Sequence, residues 1–93
     1  MDFSEALTGL KAGKRVSRTG WNGKGMWLVL TTPERSVAVS VRDLLDLQRL
    51  SPGCELLPWI GMKTADNKFV PWLASQTDIL AGDWGIVNDT GAA

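Results

Sequence analysis

Histidine and tyrosine are absent from the 93 residues, and cysteine occurs once, as Cys54. Without histidine, the chain lacks the commonest general base and the commonest transition-metal ligand. A single cysteine excludes an intrachain disulfide, which fits a reducing compartment. We find no phosphate loop, no nucleophile elbow and no paired metal-ligand spacing. The sequence therefore predicts no catalytic residues, no metal and no cofactor.

Net charge and long apolar runs are missing as well. Ten Lys and Arg residues balance ten Asp and Glu residues, so the formal net charge is zero. That balance disfavours a binder of polymeric nucleic acid held by a basic surface. No segment approaches the ~18 apolar residues of a membrane span, and the N-terminus lacks the apolar stretch of a signal peptide. We expect a cytoplasmic protein that contacts neither a membrane nor polymeric nucleic acid.

The hydrophobic periodicity predicts an α+β fold, with a small antiparallel sheet, an N-terminal helix and a second helix in a middle insertion. A capping box of Asp2 and Glu5 opens the first helix. The second helix is predicted in "VRDLLDLQRL", which starts at Val41. Residues 1–88 are predicted to form a single ligand-binding domain, and residues 89–93 a disordered tail.

The strands are shorter and alternate in polarity. "KRVSR" reads as an edge strand with Val16 inward, and "MWLVLTT", "VAVSV" and "WGIV" read as further strands. "LLPWIGMKT" and "KFVPW" flank a turn, which predicts a hairpin with Asp66-Asn67 at its tip. Ser75 is placed to cap one short helical turn, closed by Gly82.

Tryptophan is over-represented, with five residues in 93. Two of them stand in polar surroundings, in "RTGWNGKG" and in "WLASQTD". An indole face can stack on a nucleobase for about 1–3 kcal/mol, amides can read a base edge, an acid can accept from a ribose hydroxyl and arginine can chelate a phosphate. These are the parts of a nucleotide site. The candidate ligand-binding residues are Arg18, Trp21, Asn22, Trp27, Trp72, Ser75, Gln76 and Asp78.

Each of these features has a structural alternative. Tryptophan in a small domain often belongs to the core, and this is the role we expect for Trp59 and Trp84, each inside an apolar strand. The string that begins at Ser75 could simply cap a helix with solvated side chains. Asp78 and Asp83 could in principle perform acid–base chemistry, but surface carboxylates are common and the pair alone does not indicate catalysis.

The strings "MDFSEALTGLKAGKRVSR", "GWNGKGMWL" and "MKTADNKFVPWLASQTDILAGDW" resemble the phage-encoded Thoeris anti-defence family of the second type. The resemblance covers residues 1–32 and 58–87, about two-thirds of the chain. Residues 33–57 do not match the family pattern. Trp21 and Asn22 match the first motif, and the second is matched by Trp72, Ser75, Gln76 and Asp78. Arg18 and Trp27 come from the chemistry of the residues alone.

The resemblance implies a sponge that acts in the infected bacterial host. Members of the family bind glycocyclic ADP-ribose, a cyclic ADP-ribose isomer made by Thoeris TIR proteins, and hold it without degrading it. Members assemble as homotetramers, and some also capture cyclic dinucleotides or trinucleotides of CBASS immunity in separate sites. The alternatives are a phosphodiesterase that destroys the signal, a structural oligomerisation module and a carbohydrate-binding module.

Overall fold

The computed structural model of the protein describes residues 1–32 and 57–88. These residues contain two α-helices, α1 (Phe3–Lys11) and α2 (Gln76–Leu80), and a short 3₁₀ turn (Thr19–Trp21). Their five strands are β1 (Arg15–Arg18), β2 (Trp27–Thr31), β3 (Trp59–Lys63), β4 (Phe69–Pro71) and β5 (Trp84–Val87). The strands form one antiparallel sheet in the order β4-β3-β2-β1-β5. The predicted α+β class is confirmed.

Helix α1 begins at the predicted capping box. The Glu5 amide donates to Asp2 Oδ1 (2.9 Å) and the Asp2 amide donates to Glu5 Oε1 (3.1 Å), so each residue satisfies a free N–H of the other. After the helix, Gly13 adopts a φ of 87°, a left-handed conformation that glycine adopts without steric cost. The apolar side of α1 covers one face of the sheet, and the buried core consists of Ala6, Leu10, Val16, Leu28 and Trp84.

Strand β1 lies inside the sheet, so its prediction as an edge strand is wrong. It pairs with β2 on one side and with β5 on the other, where Val16 lies opposite Ile86 and Arg18 opposite Trp84. The inward position of Val16, which is fully buried, is confirmed. The error arose because β1 is followed in the chain by β2, whereas its second neighbour comes from the distant C-terminal strand.

The predicted hairpin is confirmed. Strands β3 and β4 are antiparallel, and Met62 pairs with Val70. The turn between them is closed by a hydrogen bond from the Thr64 amide to the Lys68 carbonyl (2.7 Å). Asn67 at the tip adopts a φ of 64°, which asparagine tolerates better than most residues because its side chain can bond locally.

The expected core position of Trp84 is confirmed, whereas that of Trp59 is wrong. Trp84 is 3% exposed, but Trp59 is half-buried and lies outside the core. In β3 the next residue, Ile60, pairs with Leu30, and both pack against the core. Because side chains alternate along a strand, Trp59 points to the opposite face. Strand propensity placed Trp59 in a strand but could not select its face.

Several predicted features fall outside the described residues. They are the turn at 33–36, the strand "VAVSV", the middle helix "VRDLLDLQRL" and the tail at 89–93. Within residues 1–32 and 57–88, no helix has the length and apolar character needed to cross a membrane.

Candidate functional site

The pairing of β1 with β5 brings distant motifs together at one end of the sheet. Arg18, the last residue of β1, lies opposite Trp84, the first residue of β5. The turn that follows Arg18 therefore lies beside the segment that precedes Trp84. That segment includes α2, which begins after its N-cap, Ser75. Sequence positions about sixty residues apart thus meet at one place.

Three aromatic rings pack around Trp84. The Trp21 ring meets it edge-to-face, with centroids 5.3 Å apart and planes at 78°. Trp72 meets it from another side at 6.0 Å and 86°. Phe3, at the start of α1, lies 5.4 Å from Trp84 and 5.8 Å from Trp72. Such edge-to-face pairs add stabilisation beyond the area that they bury. Trp21 and Trp72 are both half-buried, so each packs against the core and is still open to solvent.

Beside these rings, Arg18 binds two carboxylates. Its Nη1 lies 2.7 Å from Asp78 Oδ1, its Nε lies 2.7 Å from Asp83 Oδ1, and its Nη2 lies 3.5 Å from Asp83 Oδ2. The side chains of Arg18, Asp78 and Asp83 are 16%, 17% and 32% exposed. We call this group the Arg18 clasp. The planar guanidinium of Arg18 pairs with carboxylates in a geometry that a lysine side chain could not provide. The formal charge of the clasp is negative because two anions share one cation.

The clasp changes the pKa of its acidic members. The Arg18 hydrogen bond and then the Gly20 amide lower the pKa of Asp83. For Asp78, burial alone would raise the pKa. Hydrogen bonds from Arg18, Ser75 and Trp21 outweigh that effect, so the pKa of Asp78 is also lowered. Both groups are therefore ionised at neutral pH.

We expect the clasp to lose its stabilising effect in acid. The ordinary pKa of both aspartates is 3.8 and the folded pKa lies lower, so the ionised pair stabilises the fold above that value. This contribution disappears as the pH falls through the folded pKa. The difference in Tm between the natural protein and Asp83→Asn should be largest at neutral pH and shrink below about pH 4. A difference that stays constant down to about pH 3 would contradict the assignment.

A cleft of about 320 Å³ lies next to the clasp, on the loop between β1 and β2. Trp21, Lys24 and Met26 line it from the loop, and Ile86 lines it from β5. Its size is near the lower end for small-molecule sites. Asn22 follows the 3₁₀ turn with a φ of 61°, and the loop also contains left-handed Gly23 and Gly25, with φ values of 64° and 75°. These positions let the loop curve around the cleft.

The Arg18 clasp and the aromatic rings beside it form one group, which we call the cluster. Five predicted site residues come together in it. They are Arg18, Trp21, Trp72, Ser75 and Asp78. Asn22 and Gln76 adjoin it in sequence and are exposed. Trp27 lies apart from them. The Arg15 guanidinium lies over the Trp27 ring, 5.2 Å from its centroid, and the Phe69 ring centroid is 6.4 Å away.

Ser75 occupies the helix-capping position that its pattern also allowed. Its hydroxyl accepts from the Asp78 amide (3.1 Å) and donates to Asp78 Oδ2 (3.0 Å). The end of α2 differs from its predicted closure at Gly82, because the C-cap is Ala81 in an extended conformation. The capping and the clasp share one carboxylate, so the cap also positions Asp78 for Arg18.

Sequence reasoning missed three contributors to the cluster, Phe3, Asp83 and Trp84. Trp84 was assigned only to the core, yet it contacts both candidate tryptophans. Asp83 was considered only as a partner of Asp78 in acid–base chemistry or as a surface acid. The signal that could have found it is its position directly before the strand that pairs with β1. Among the described residues, no three acidic or cysteine side chains are grouped so that they could hold a metal ion.

Fold and site define a class of small α+β protein with an aromatic cluster and a cleft at one end of an antiparallel sheet. The sequence model of the Thoeris anti-defense 2-like domain matches residues 1–87, and the chain therefore belongs to this family. It is also similar to a protein of Bacillus phage SP01 described as Thoeris anti-defense 2. The two are 43% identical over 88 residues, which cover 95% of this chain and 96% of the phage protein.

Proposed function

We propose that this protein sequesters glycocyclic ADP-ribose, the cyclic nucleotide signal of Thoeris defence, without degrading it. Membership in the anti-defense family supports a role against Thoeris inside the infected bacterial cell. The chemistry of the cleft supports a small ligand with both aromatic and charged groups. The proposal requires that the ligand is bound tightly and stays intact. The described side chains suit both requirements, the first through Trp21 and the second through the clasp.

The observation that carries the proposal is the position of Trp21. It is held against Trp84 and also lines the cleft, so its orientation is set before any ligand arrives. A preoriented ring loses little entropy on binding and can stack on an adenine. Lys24 lines the same cleft and offers a cation to a phosphate. The exposed amides of Asn22 and Gln76 adjoin the cluster and can bond to a base edge.

Sequestration works by mass action. A Kd in the nanomolar range corresponds to about −12 kcal/mol, and at that affinity an excess of protein leaves little free signal. Affinity of this order is compatible with stacking and phosphate contacts in a preorganised pocket. The effector that waits for the signal is then deprived of its activator.

The clasp chemistry favours binding over hydrolysis. A general acid or base works best with a pKa near the operating pH, whereas the pKa of Asp78 and that of Asp83 are both lowered. Both carboxylates are also already bound by Arg18. A phosphodiesterase built on this pair would have to break the clasp first, so we propose that the protein is not an enzyme.

Heat release of captured ligand tests the proposal. The protein is incubated with a smaller amount of glycocyclic ADP-ribose, freed of unbound ligand, denatured by heat and analysed by chromatography with mass detection. We expect intact ligand in the released fraction. A product of altered mass would support the phosphodiesterase, and no capture would support a structural role. The same assay with cyclic dinucleotides and trinucleotides tests whether CBASS signals are also bound.

We also propose that the working unit is a homo-oligomer, most simply the tetramer implied by the family. Leu73, before α2, and Leu80, the last residue of α2, are 92% and 80% exposed in the isolated chain. Contact with another subunit would remove this apolar surface from water. Light scattering at micromolar concentration should give the mass of a tetramer, and a monomer would contradict the proposal.

A further inference from the structure

Asp83 accepts hydrogen bonds from each of the three residues that precede Trp21. Its Oδ2 accepts from the Gly20 amide at 2.7 Å, and its Oδ1 accepts from Arg18 Nε at 2.7 Å. Its carbonyl oxygen accepts from the Thr19 amide at 3.0 Å. One residue thus holds the start of the 3₁₀ turn by both its side chain and its backbone.

Gly20 lies against the side-chain ends of Asp83 and Arg18, so a larger residue there would make one of them shift. A Cβ at this position would lie 2.9 Å from Asp83 Oδ2, so that carboxylate would have to shift, and it would lie 3.1 Å from Arg18 Nη2, a tight contact. The turn therefore lies directly against the carboxylate, and any larger residue would push the two apart. The close approach gives a second way to disturb the same contact without changing charge.

The remaining bonds of the clasp lead back to the aromatic rings. Arg18 Nη1 binds Asp78 Oδ1 at 2.7 Å, and the Trp21 side chain lies close enough to the Asp78 carboxylate to help lower its pKa. The Trp84 indole Nε1 donates to the Asp78 carbonyl oxygen at 2.9 Å. The chain of contacts from Asp83 thus returns to both rings of the edge-to-face pair, so moving Asp83 should move Trp21 relative to Trp84.

We propose that Asp83 is a positioning residue that sets the orientation of the Trp21 ring, through the 19–21 turn and Arg18, and so sets the affinity of the cleft. The part that concerns affinity rests on the proposed function. Arg18 is engaged by two carboxylates, so its role is to hold Trp21 and α2 together, and the phosphate of a ligand is left to Lys24. A partly buried guanidinium already paired in this way gains little from a third anion.

The test compares four variants with the natural protein. Asp83→Asn keeps the shape but loses the charge, and Asn cannot accept at both oxygens because one becomes a donor. Gly20→Ala disturbs the same contact sterically. Asp66→Asn is the matched control, since Asp66 is an aspartate bonded to Thr64 and Lys68 in the exposed hairpin turn. Trp21→Phe removes the indole and defines the share of the optical signal that belongs to Trp21.

Three quantities are measured on each variant. Circular dichroism of the ligand-free protein reports the exciton coupling of the indole pair, thermal unfolding reports Tm, and titration calorimetry reports the affinity for glycocyclic ADP-ribose. We expect Asp83→Asn and Gly20→Ala to lose the Trp21 share of the coupling signal and at least tenfold in affinity, at temperatures well below their Tm. Asp66→Asn should match the natural protein in coupling and affinity.

The outcomes separate the inference from the proposed function. Natural affinity and coupling in both Asp83→Asn and Gly20→Ala would overturn the inference, as would a lost coupling signal with natural affinity. A fall in affinity with unchanged coupling would also overturn it, because Asp83 would then act by another route. If Asp83→Asn does not fold, the coupling signal and the affinity of Gly20→Ala decide whether the inference holds. If the natural protein fails to bind the ligand, the proposed function fails, while the coupling signal still shows whether Asp83 orients Trp21.

Discussion

Replacing Trp84 with alanine should unfold the domain or leave it barely folded at room temperature. Trp84 is 3% exposed, contacts three other aromatic rings and donates its indole N–H to the Asp78 carbonyl. Deleting a buried Trp side chain costs about 3–5 kcal/mol. Small domains have about 5–15 kcal/mol of stability in total. Thermal and urea unfolding would measure the loss.

Trp59→Ala is the matched control for this experiment. Trp59 also lies in a strand, but it is half-buried. Its ring contacts Phe69, with centroids 5.9 Å apart, on the face of the sheet that α1 does not cover. We expect a distinctly smaller loss of stability because less apolar surface becomes exposed. Equal losses for the two variants would mean that burial in the described residues does not identify the core.

Trp21→Ala should leave a folded oligomer that has lost most of its ligand affinity. Trp21 is half-buried and lines the cleft, so truncation removes a stacking surface of about 1–3 kcal/mol. That corresponds to a loss in affinity of roughly tenfold to a hundredfold. Trp72→Ala should behave similarly if its open side also meets the ligand. Affinity for glycocyclic ADP-ribose and Tm must be measured on the same preparations.

The two tryptophans differ in the stability loss that we expect. Trp72 packs on both Phe3 and Trp84, whereas Trp21 has one such ring contact, with Trp84. Trp72→Ala should therefore lower Tm more than Trp21→Ala does. Trp27→Ala is the informative comparison, because Trp27 was a candidate by sequence and lies apart from the cluster. Natural affinity in all three variants would show that packing had been mistaken for recognition.

A site built in this way is compatible with the proposed capture of a nucleotide signal. If the clasp and the aromatic packing restrain the Trp21 ring before binding, less conformational entropy is lost when the ligand binds. The proposed role in orientation gives a small domain a reason, beyond stability, to keep a partly buried ion group. The Asp83 variants measure whether the clasp has this role in orientation.

Local features of the fold could be predicted because they depend on residues near one another. The capping box at Asp2 and Glu5, the cap at Ser75 and the turn at Asp66-Asn67 each require a few specific side chains within about four positions. The sequence motifs likewise identified Trp21 and Trp72 as unusual, since indoles beside polar groups are rarely needed for packing alone.

Only the tertiary structure decided which of these features meet. The pairing of β1 with β5 joins segments more than sixty residues apart, so no local pattern reveals that Arg18 lies between Asp78 and Asp83. The same pairing made β1 an inner strand, and the choice of sheet face separated Trp59 from Trp84. Sequence by itself determined most of the described elements, the N-caps of both helices and the chemistry available. Long-range strand register determined the site, because a one-residue shift in pairing would carry every side chain to the other face.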